Sequence, residues 1–201
     1  MNSKFTIRLA EPGDCEAILD IYKDYIIGTA ITFETEIPSV AEFSQRISKI
    51  LKCFPWLVCE NDGHIIGYAY ASKHRERAAY AWSVDFSVYI APKYHRCRIA
   101  TALYTCLIEI LKLQGYQTAC AAVTYPNEKS EAFHSFLEFK SIGVFENVGY
   151  KLGKWWDVQW FQRHLSEFSE APKAILSIDD VKESKCFDKI LKNSVSIIKR
   201  S

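Results

Sequence analysis

Residues 88–104 read Val-Tyr-Ile-Ala-Pro-Lys-Tyr-His-Arg-Cys-Arg-Ile-Ala-Thr-Ala-Leu-Tyr. An aromatic and β-branched segment ends in a short basic loop, which feeds straight into residues of helical spacing. Such a junction leaves backbone N–H groups unpaired at the helix start, with the positive end of the helix dipole behind them. The chemistry this offers is anion binding, and a pyrophosphate fits it. Arg96 and Arg98 either assist that anion or are solvated surface charge. A second basic cluster, Lys73, His74, Arg75 and Arg77, lies upstream. It is either a second anion-binding cluster or solvated surface charge.

These groups need a scaffold, and the periodicities supply one. Residues 5–9 alternate like a strand; after Pro12 and Asp14, the side chains Ile18, Ile21, Tyr22 and Tyr25 fall at helical spacing up to Gly28. Ser39 with Glu42 is a capping-box signature, so a second helix starts near Val40 and ends before Pro55. Residues 56–60 and 65–72 read as strands joined by a tight hairpin at Asp62-Gly63. Residues 80–90 form a long strand, and a helix carrying Leu103, Leu107, Ile110 and Leu111 runs from Ile99 to Gly115. A buried strand follows at 118–124, a helix at 127–139, and a closing pair of strands at 144–152 and 155–163.

The order β-α-α-β-β-β-α-β-α-β-β gives an α/β (α+β) layer fold. Residues 1–165 read as one domain and 166–201 as an extension, a connector with Pro172 followed by a helix over 179–199. That helix packs on the domain or on a second subunit, or serves as an interaction tail.

The loop resembles the acetyl-coenzyme A loop of the GNAT superfamily, whose pattern is Gln or Arg, two residues, Gly, one residue, then Gly or Ala. His95, Arg98 and Ala100 take its first, fourth and sixth positions. Further stretches resemble the phosphinothricin acetyltransferase-like branch: Ala30-Ile31-Thr32-Phe33-Glu34-Thr35-Glu36; Tyr80-Ala81-Trp82-Ser83-Val84-Asp85 with Ser87-Val88-Tyr89-Ile90; Pro126-Asn127 through Ser130 to His134; and Gly153-Lys154-Trp155-Trp156-Asp157-Val158. The likeness spans residues 4–164. It implies the GNAT fold, a mixed, mostly antiparallel central sheet flanked by helices. It also implies an N-acetyltransferase that moves the acetyl group of acetyl-coenzyme A to the primary amine of a small amino-acid-like substrate of the phosphinothricin or methionine-derivative type.

Carried over by position, the resemblance implies that backbone groups of Val88, Tyr89 and Ile90 pair with the pantetheine arm as an added strand. The amides of Arg96, Cys97, Arg98, Ile99, Ala100 and Thr101 would hold the pyrophosphate, with Asn127, Ser130 and Phe133 lining the same cleft. Phe133 has core packing as its alternative. Asp85 takes the place of the family's Glu, the base that frees the amine lone pair, one methylene shorter; a strand-end Asp bonded to backbone is the alternative. His134 matches a histidine near the family's active site, or is a half-buried helix residue. Tyr104 falls near a tyrosine that protonates the leaving thiolate, or packs in the core. Arg75 and Arg77 line the acceptor side, where Phe33, Glu34, Tyr80 and Trp82 complete an aromatic pocket.

Three departures stand out: Arg98 for a loop Gly, Asp85 for Glu, and Glu138-Phe139 where the family has Gly followed by Tyr or Phe. A Cβ at a Gly position with positive φ costs about 1 kcal/mol or more.

Composition narrows the rest. With 25 Lys and Arg against 24 Asp and Glu, no overall field recruits nucleic acid or an anionic membrane. Seven cysteines without CxxC spacing indicate neither a zinc site nor a disulfide framework, and no metal is expected. There is no signal-peptide pattern and no apolar run near the ~20 residues of a membrane span, so a soluble cytoplasmic protein is expected. Family resemblance adds a homodimer. The other readings are a non-catalytic acyl-coenzyme A-binding module and a protein or peptide N-acetyltransferase.

Overall fold

A computed structural model describes residues 4–199. In chain order its elements are β1 (Phe5–Leu9), α1 (Cys15–Gly28), α2 (Val40–Leu51), β2 (Trp56–Asn61), β3 (His64–Lys73), β4 (Ser83–Ile90), α3 (Ile99–Gln114), β5 (Thr118–Tyr125), α4 (Glu128–Phe136), β6 (Lys140–Lys151), β7 (Lys154–His164), α5 (Ile178–Lys182) and α6 (Lys185–Val195). Local chemistry sets several of these bounds. Ser39 accepts from the Glu42 N–H at 3.3 Å and the Glu42 carboxylate accepts from the Ser39 N–H at 2.9 Å, the reciprocal cap that starts α2. Asp62 and Gly63 take φ of 49° and 81°, as a two-residue hairpin turn requires.

Among the described residues seven strands form one sheet in the order β1-β2-β3-β4-β5-β7-β6, antiparallel except for β4 with β5. On one face, α3 buries Leu103, Leu107, Ile110 and Leu111 against Val84 and Phe86. On the other, α1 and α2 cover Trp56, Val58 and Tyr68 with Ile18, Tyr22, Phe43 and Ile47. Trp56 stacks on Tyr70 at 4.1 Å and on Tyr68 at 5.6 Å, aromatic pairs each worth about 1 kcal/mol beyond their buried area.

The feature that makes a site is a split. β4 and β5 pair only at Ser83–Asp85 with Thr118–Cys120. Beyond that, β4 stays with β3 as far as Ile90 while β5 stays with β7 as far as Tyr125. A wedge therefore opens between residues 86–90 and 121–125.

Four boundaries differ from expectation. The long strand starts at Ser83 rather than 80, because residues Ala78–Tyr80 form a single tight helical turn. The helix expected to run to 139 stops at Phe136; Glu138 turns left-handed with φ 61° and β6 begins at Lys140, not 144. The helix expected over 179–199 is two helices, since Ser184 breaks it and caps the second by accepting from the Phe187 N–H at 3.2 Å. Val181 and Phe187 join the core beneath α3, and the Lys199 N–H donates to the Cys97 carbonyl at 2.9 Å.

Candidate active site

The wedge holds a cavity of about 100 Å³ walled by Phe86, Val88, Tyr104, Thr124, Asn127, Ser130, Phe133 and His134. Its β4 edge is unpaired main chain. The Ala91 N–H donates to Ile66 in the β3 ladder, so by strand alternation Tyr89 and Ser87 also face β3, while Val88 and Ile90 face the gap. This corrects the expectation for two residues. The main chain of Tyr89 is spent on the ladder, and its side chain packs against Tyr22, Tyr25 and Tyr68. The Ile90 carbonyl is taken by the Tyr25 hydroxyl at 2.6 Å and shared with His95 at 3.0 Å. Val88 alone of the three keeps both groups for an added strand.

At the wide end lies the basic turn. Arg96 and Arg98 hold φ of 67° and 60° around the buried Cys97, whose carbonyl is the one tied to Lys199. Arg98 thus keeps the backbone that a Gly would adopt. The residue is exposed. α2, α4, α5 and α6 are capped by Ser39, Asn127, Ser177 and Ser184, whereas α3 has no side-chain cap. The first-turn amides of Ile99, Ala100 and Thr101 are therefore open to an anionic ligand. A second groove, about 420 Å³ beside α1, is lined by Asp14, Asp20, Asp24 and Glu60 against Arg8, an acidic balance that disfavours an anion.

The narrow end of the wedge holds titratable groups. Asp85 Oδ1 lies 2.6 Å from His74 Nδ1. With Asp85 ionised, the imidazole N–H is the donor. Burial raises the Asp85 pKa above the ordinary carboxylate value, opposed by His74 and by the positive charge of Arg75. The buried thiol of Cys120 completes the group, its pKa pushed up to about 11 by burial. Arg75 lies over the Trp160 ring at 5.9 Å, and Tyr80 packs against His74 at 5.8 Å. Glu34 is clamped by Arg46 at 2.5 Å and by the Tyr22 hydroxyl at 3.0 Å. Phe33 lies so close to Gly149 that a Cβ there would meet its ring at 2.1 Å.

Two expected acceptor residues are not brought in. Trp82 precedes β4 and its indole donates to the Lys173 carbonyl at 2.8 Å, so it holds the connector rather than a pocket. Arg77 is exposed at the start of the Ala78–Tyr80 turn. His134 and Asp85 do not meet either. Phe86, which points to the opposite face from Asp85, contacts Tyr104 and Phe139, and these surround His134. His134 donates from Nδ1 to the Ser130 carbonyl at 2.8 Å and stacks on Phe161, and its Nε2 is buried without a partner. Burial lowers its pKa, so the neutral ring is the stable form. Tyr104 is fully buried with a hydroxyl pKa pushed far up by burial, the state of a core residue. Asn127 accepts from the Ser130 N–H at 3.1 Å, capping α4 at the cavity wall.

Sequence reading missed four groups: His74 as the partner of Asp85, Arg46 as the partner of Glu34, Tyr25 on Ile90, and Tyr70 beside Ser87. The first had a signal. Ser72 pairs with Asp85, so His74, two residues on, lies diagonal to it on the same face.

Comparison with known proteins agrees with this geometry. A model of the GNAT acetyltransferase domain matches residues 7–160. A phosphinothricin N-acetyltransferase of Streptomyces viridochromogenes is 31% identical over 175 residues, 87% of this chain and 95% of that one. An L-methionine sulfoximine/L-methionine sulfone acetyltransferase of Salmonella typhimurium is 29% identical over 84% of this chain and 99% of its own. Among solved structures, a phosphinothricin acetyltransferase of Sinorhizobium meliloti in complex with acetyl-coenzyme A superposes with TM-score 0.80 at 30% identity, covering 89% of this chain and 99% of that one.

Proposed function

The chain is a member of the GNAT acetyltransferase family, and on that premise we propose that it moves the acetyl group of acetyl-coenzyme A to the primary amine of a small amino-acid-like molecule. The observation that supports this is the wedge itself: strands β4 and β5 part beyond Asp85, a half-buried carboxylate at the closed end, and β4 leads out to the uncapped start of α3.

In this reading the Arg96–Thr101 turn binds the diphosphate through main-chain N–H groups, so the arginine at 98 is tolerated. The free N–H and C=O of Val88 pair with the pantetheine arm. Asn127 and Phe133 confine the thioester. The acceptor lies over Asp85, Ser87 and Tyr70, under Phe33, with its acid group toward Arg75. An ammonium has no lone pair for attack, and the Asp85 site removes the proton. The amine nitrogen then bonds to the thioester carbon and the carbon–sulfur bond breaks, releasing coenzyme A.

The exposed apolar row along β6 and β7, which includes Val144, Phe145, Val148, Tyr150 and Trp155, supports a homodimer through this edge. The near-neutral charge supports a cytoplasmic enzyme without nucleic-acid partners, and no helix among the described residues is long and apolar enough to cross a membrane.

Thiol release from acetyl-coenzyme A, measured against a panel of amino acids, phosphinothricin-like amines and short peptides, tests the reading. Turnover with members of the first two classes is expected. Calorimetric binding of acetyl-coenzyme A with no turnover anywhere on the panel would leave a binding module, and turnover on peptides alone a protein acetyltransferase.

A further inference from the structure

We infer that His74, held by Asp85, is the group that takes the proton from the acceptor amine, and that Asp85 is its positioning residue. The inference deepens the reading above and rests on it.

The geometry is that of an oriented imidazole. His74 stands one residue beyond β3, and its Nδ1 lies 2.6 Å from Asp85 Oδ1. A carboxylate only accepts, so Nδ1 carries the hydrogen and Nε2 carries the lone pair. Among the described residues Nε2 has no protein partner, yet it is not sealed off from water. Asp85 thus fixes both the tautomer and the ring plane, and the free nitrogen is the basic one.

Three physical reasons favour His74 over direct action by Asp85. An aspartate ends one carbon–carbon bond, about 1.5 Å, short of a glutamate at the same position. An imidazole attached to it extends the reach past that loss. Second, Oδ1 is already engaged by a short bond, which leaves Oδ2 as the only oxygen of Asp85 outside that bond. Third, His74 Nε2 has no protein partner among the described residues and stays open to water, so an acceptor nitrogen can reach it.

The same cluster could be read as a metal site, since His74, Asp85 and Cys120 present ligand atoms within 4.8 Å of one another. The chemistry argues otherwise. Zinc takes a thiolate, and burial with the nearby Asp85 charge raises the Cys120 thiol pKa, so a metal would first have to displace that proton. Asp85 and His74 also satisfy each other without an ion.

The step balances as follows. The acceptor enters as an ammonium, and His74 Nε2 removes one proton to become imidazolium beside the Asp85 carboxylate. The nitrogen lone pair bonds to the thioester carbon, the carbonyl pair moves to oxygen, and its return expels the thiolate. The second proton shed by nitrogen ends on that sulfur, and His74 returns its own to water. The products are the acetamide, coenzyme A and one proton.

Groups facing His74 are Asp85 on β4, Cys120 on β5, Trp160 on β7, and Arg75 and Tyr80 on its own loop. Arg75 is the one permanent charge that opposes an imidazolium there. Asp85 offsets it at shorter range.

The experiment compares wild type, His74→Gln, Asp85→Asn, the double variant, and Asp85→Glu in the His74→Gln background, each confirmed folded by thermal melting. Expected are losses in kcat of about 100-fold for either single variant with an unchanged KM for acetyl-coenzyme A. The double variant should be no worse than the poorer single, because the two act as a unit. The longer carboxylate in the His74→Gln background should recover tenfold or more. The pH profile of kcat/KM should lose its acid limb without His74. Long-range proton–nitrogen NMR of the folded enzyme should show His74 as the Nδ1–H tautomer, lost in Asp85→Asn.

Wild-type rate and pH profile in His74→Gln with a crippled Asp85→Asn overturns this inference and leaves Asp85 as the direct base. An Nε2–H tautomer for His74 overturns it without need of any acceptor, as does inactivation by EDTA reversed by zinc. Unimpaired activity in both single variants, or no acetylation by wild type, sinks the underlying reading instead.

Discussion

The two ends of the wedge depart from the family pattern in opposite ways. At the coenzyme end the side chain has changed and the main chain has not: Arg98, an exposed residue, sits at φ 60° where a glycine would. At the acceptor end the main chain is ordinary strand, and the change falls on the chemical group itself, with Asp85 now bonded to His74. What each end does explains why. A diphosphate is gripped by amides, so the turn survives any side chain that accepts its dihedral angles. A proton is taken by one atom at one point in space, so a shortened side chain must be answered by another side chain.

The largest effect should come from attacking the main chain at the first end. Arg98→Pro fixes φ near −65° and cannot hold the turn, so acetyl-coenzyme A affinity should fall by about 100-fold or more, equivalent to ~3 kcal/mol, in calorimetry. Arg98→Gly is its counterpart. Affinity should stay within about threefold and stability change by about 1 kcal/mol at most, since relief of the left-handed strain is set against added freedom of the unfolded chain. A tenfold loss of affinity in Arg98→Gly would show that the guanidinium, not the amides, holds the anion, and the contrast between the two ends would break.

A smaller effect should follow at the acceptor end from Gly149→Ala, whose Cβ would displace the Phe33 ring. The acceptor KM should rise about tenfold, or 1.4 kcal/mol, with the KM for acetyl-coenzyme A unmoved. An unchanged acceptor KM would remove Phe33 from the pocket.

The smallest separates His134 from His74. Burial depresses the His134 pKa, so its contribution to stability is whole above the ordinary imidazole value of about 6.5 and is lost as pH falls from there toward the folded-state value. The unfolding free energy, followed by denaturant melts between pH 8 and pH 5, should drop by no more than about 1.4 kcal/mol per pH unit from this group, and His134→Gln should flatten that slope. If His134→Gln instead abolished the acid limb of kcat/KM, the proton path would run on the opposite face of the sheet.

The strands, the α2 cap and the Asp62-Gly63 hairpin were legible in the sequence because each is fixed by neighbours within a few residues. The basic turn was legible for the same reason. What escaped depends on register between distant segments. Trp82 reads as a pocket aromatic beside Tyr80, but its indole is drawn away by Lys173, 91 residues on. Arg46 reads as one charge on an amphipathic helix until the segment after α1 brings Glu34 to it. The break at Ser184 had a local signal, a serine able to cap, inside a pattern that was otherwise continuous.

The bond from the Lys199 amide to the Cys97 carbonyl ties the last described turn of the chain to the turn that would grip the diphosphate. Linkage is reciprocal, so whatever steadies one steadies the other. Occupancy of the nucleotide end should therefore be legible far along the chain, as slower deuterium uptake in a peptide that never touches the ligand. Cutting that peptide away should loosen the grip on coenzyme by the same factor.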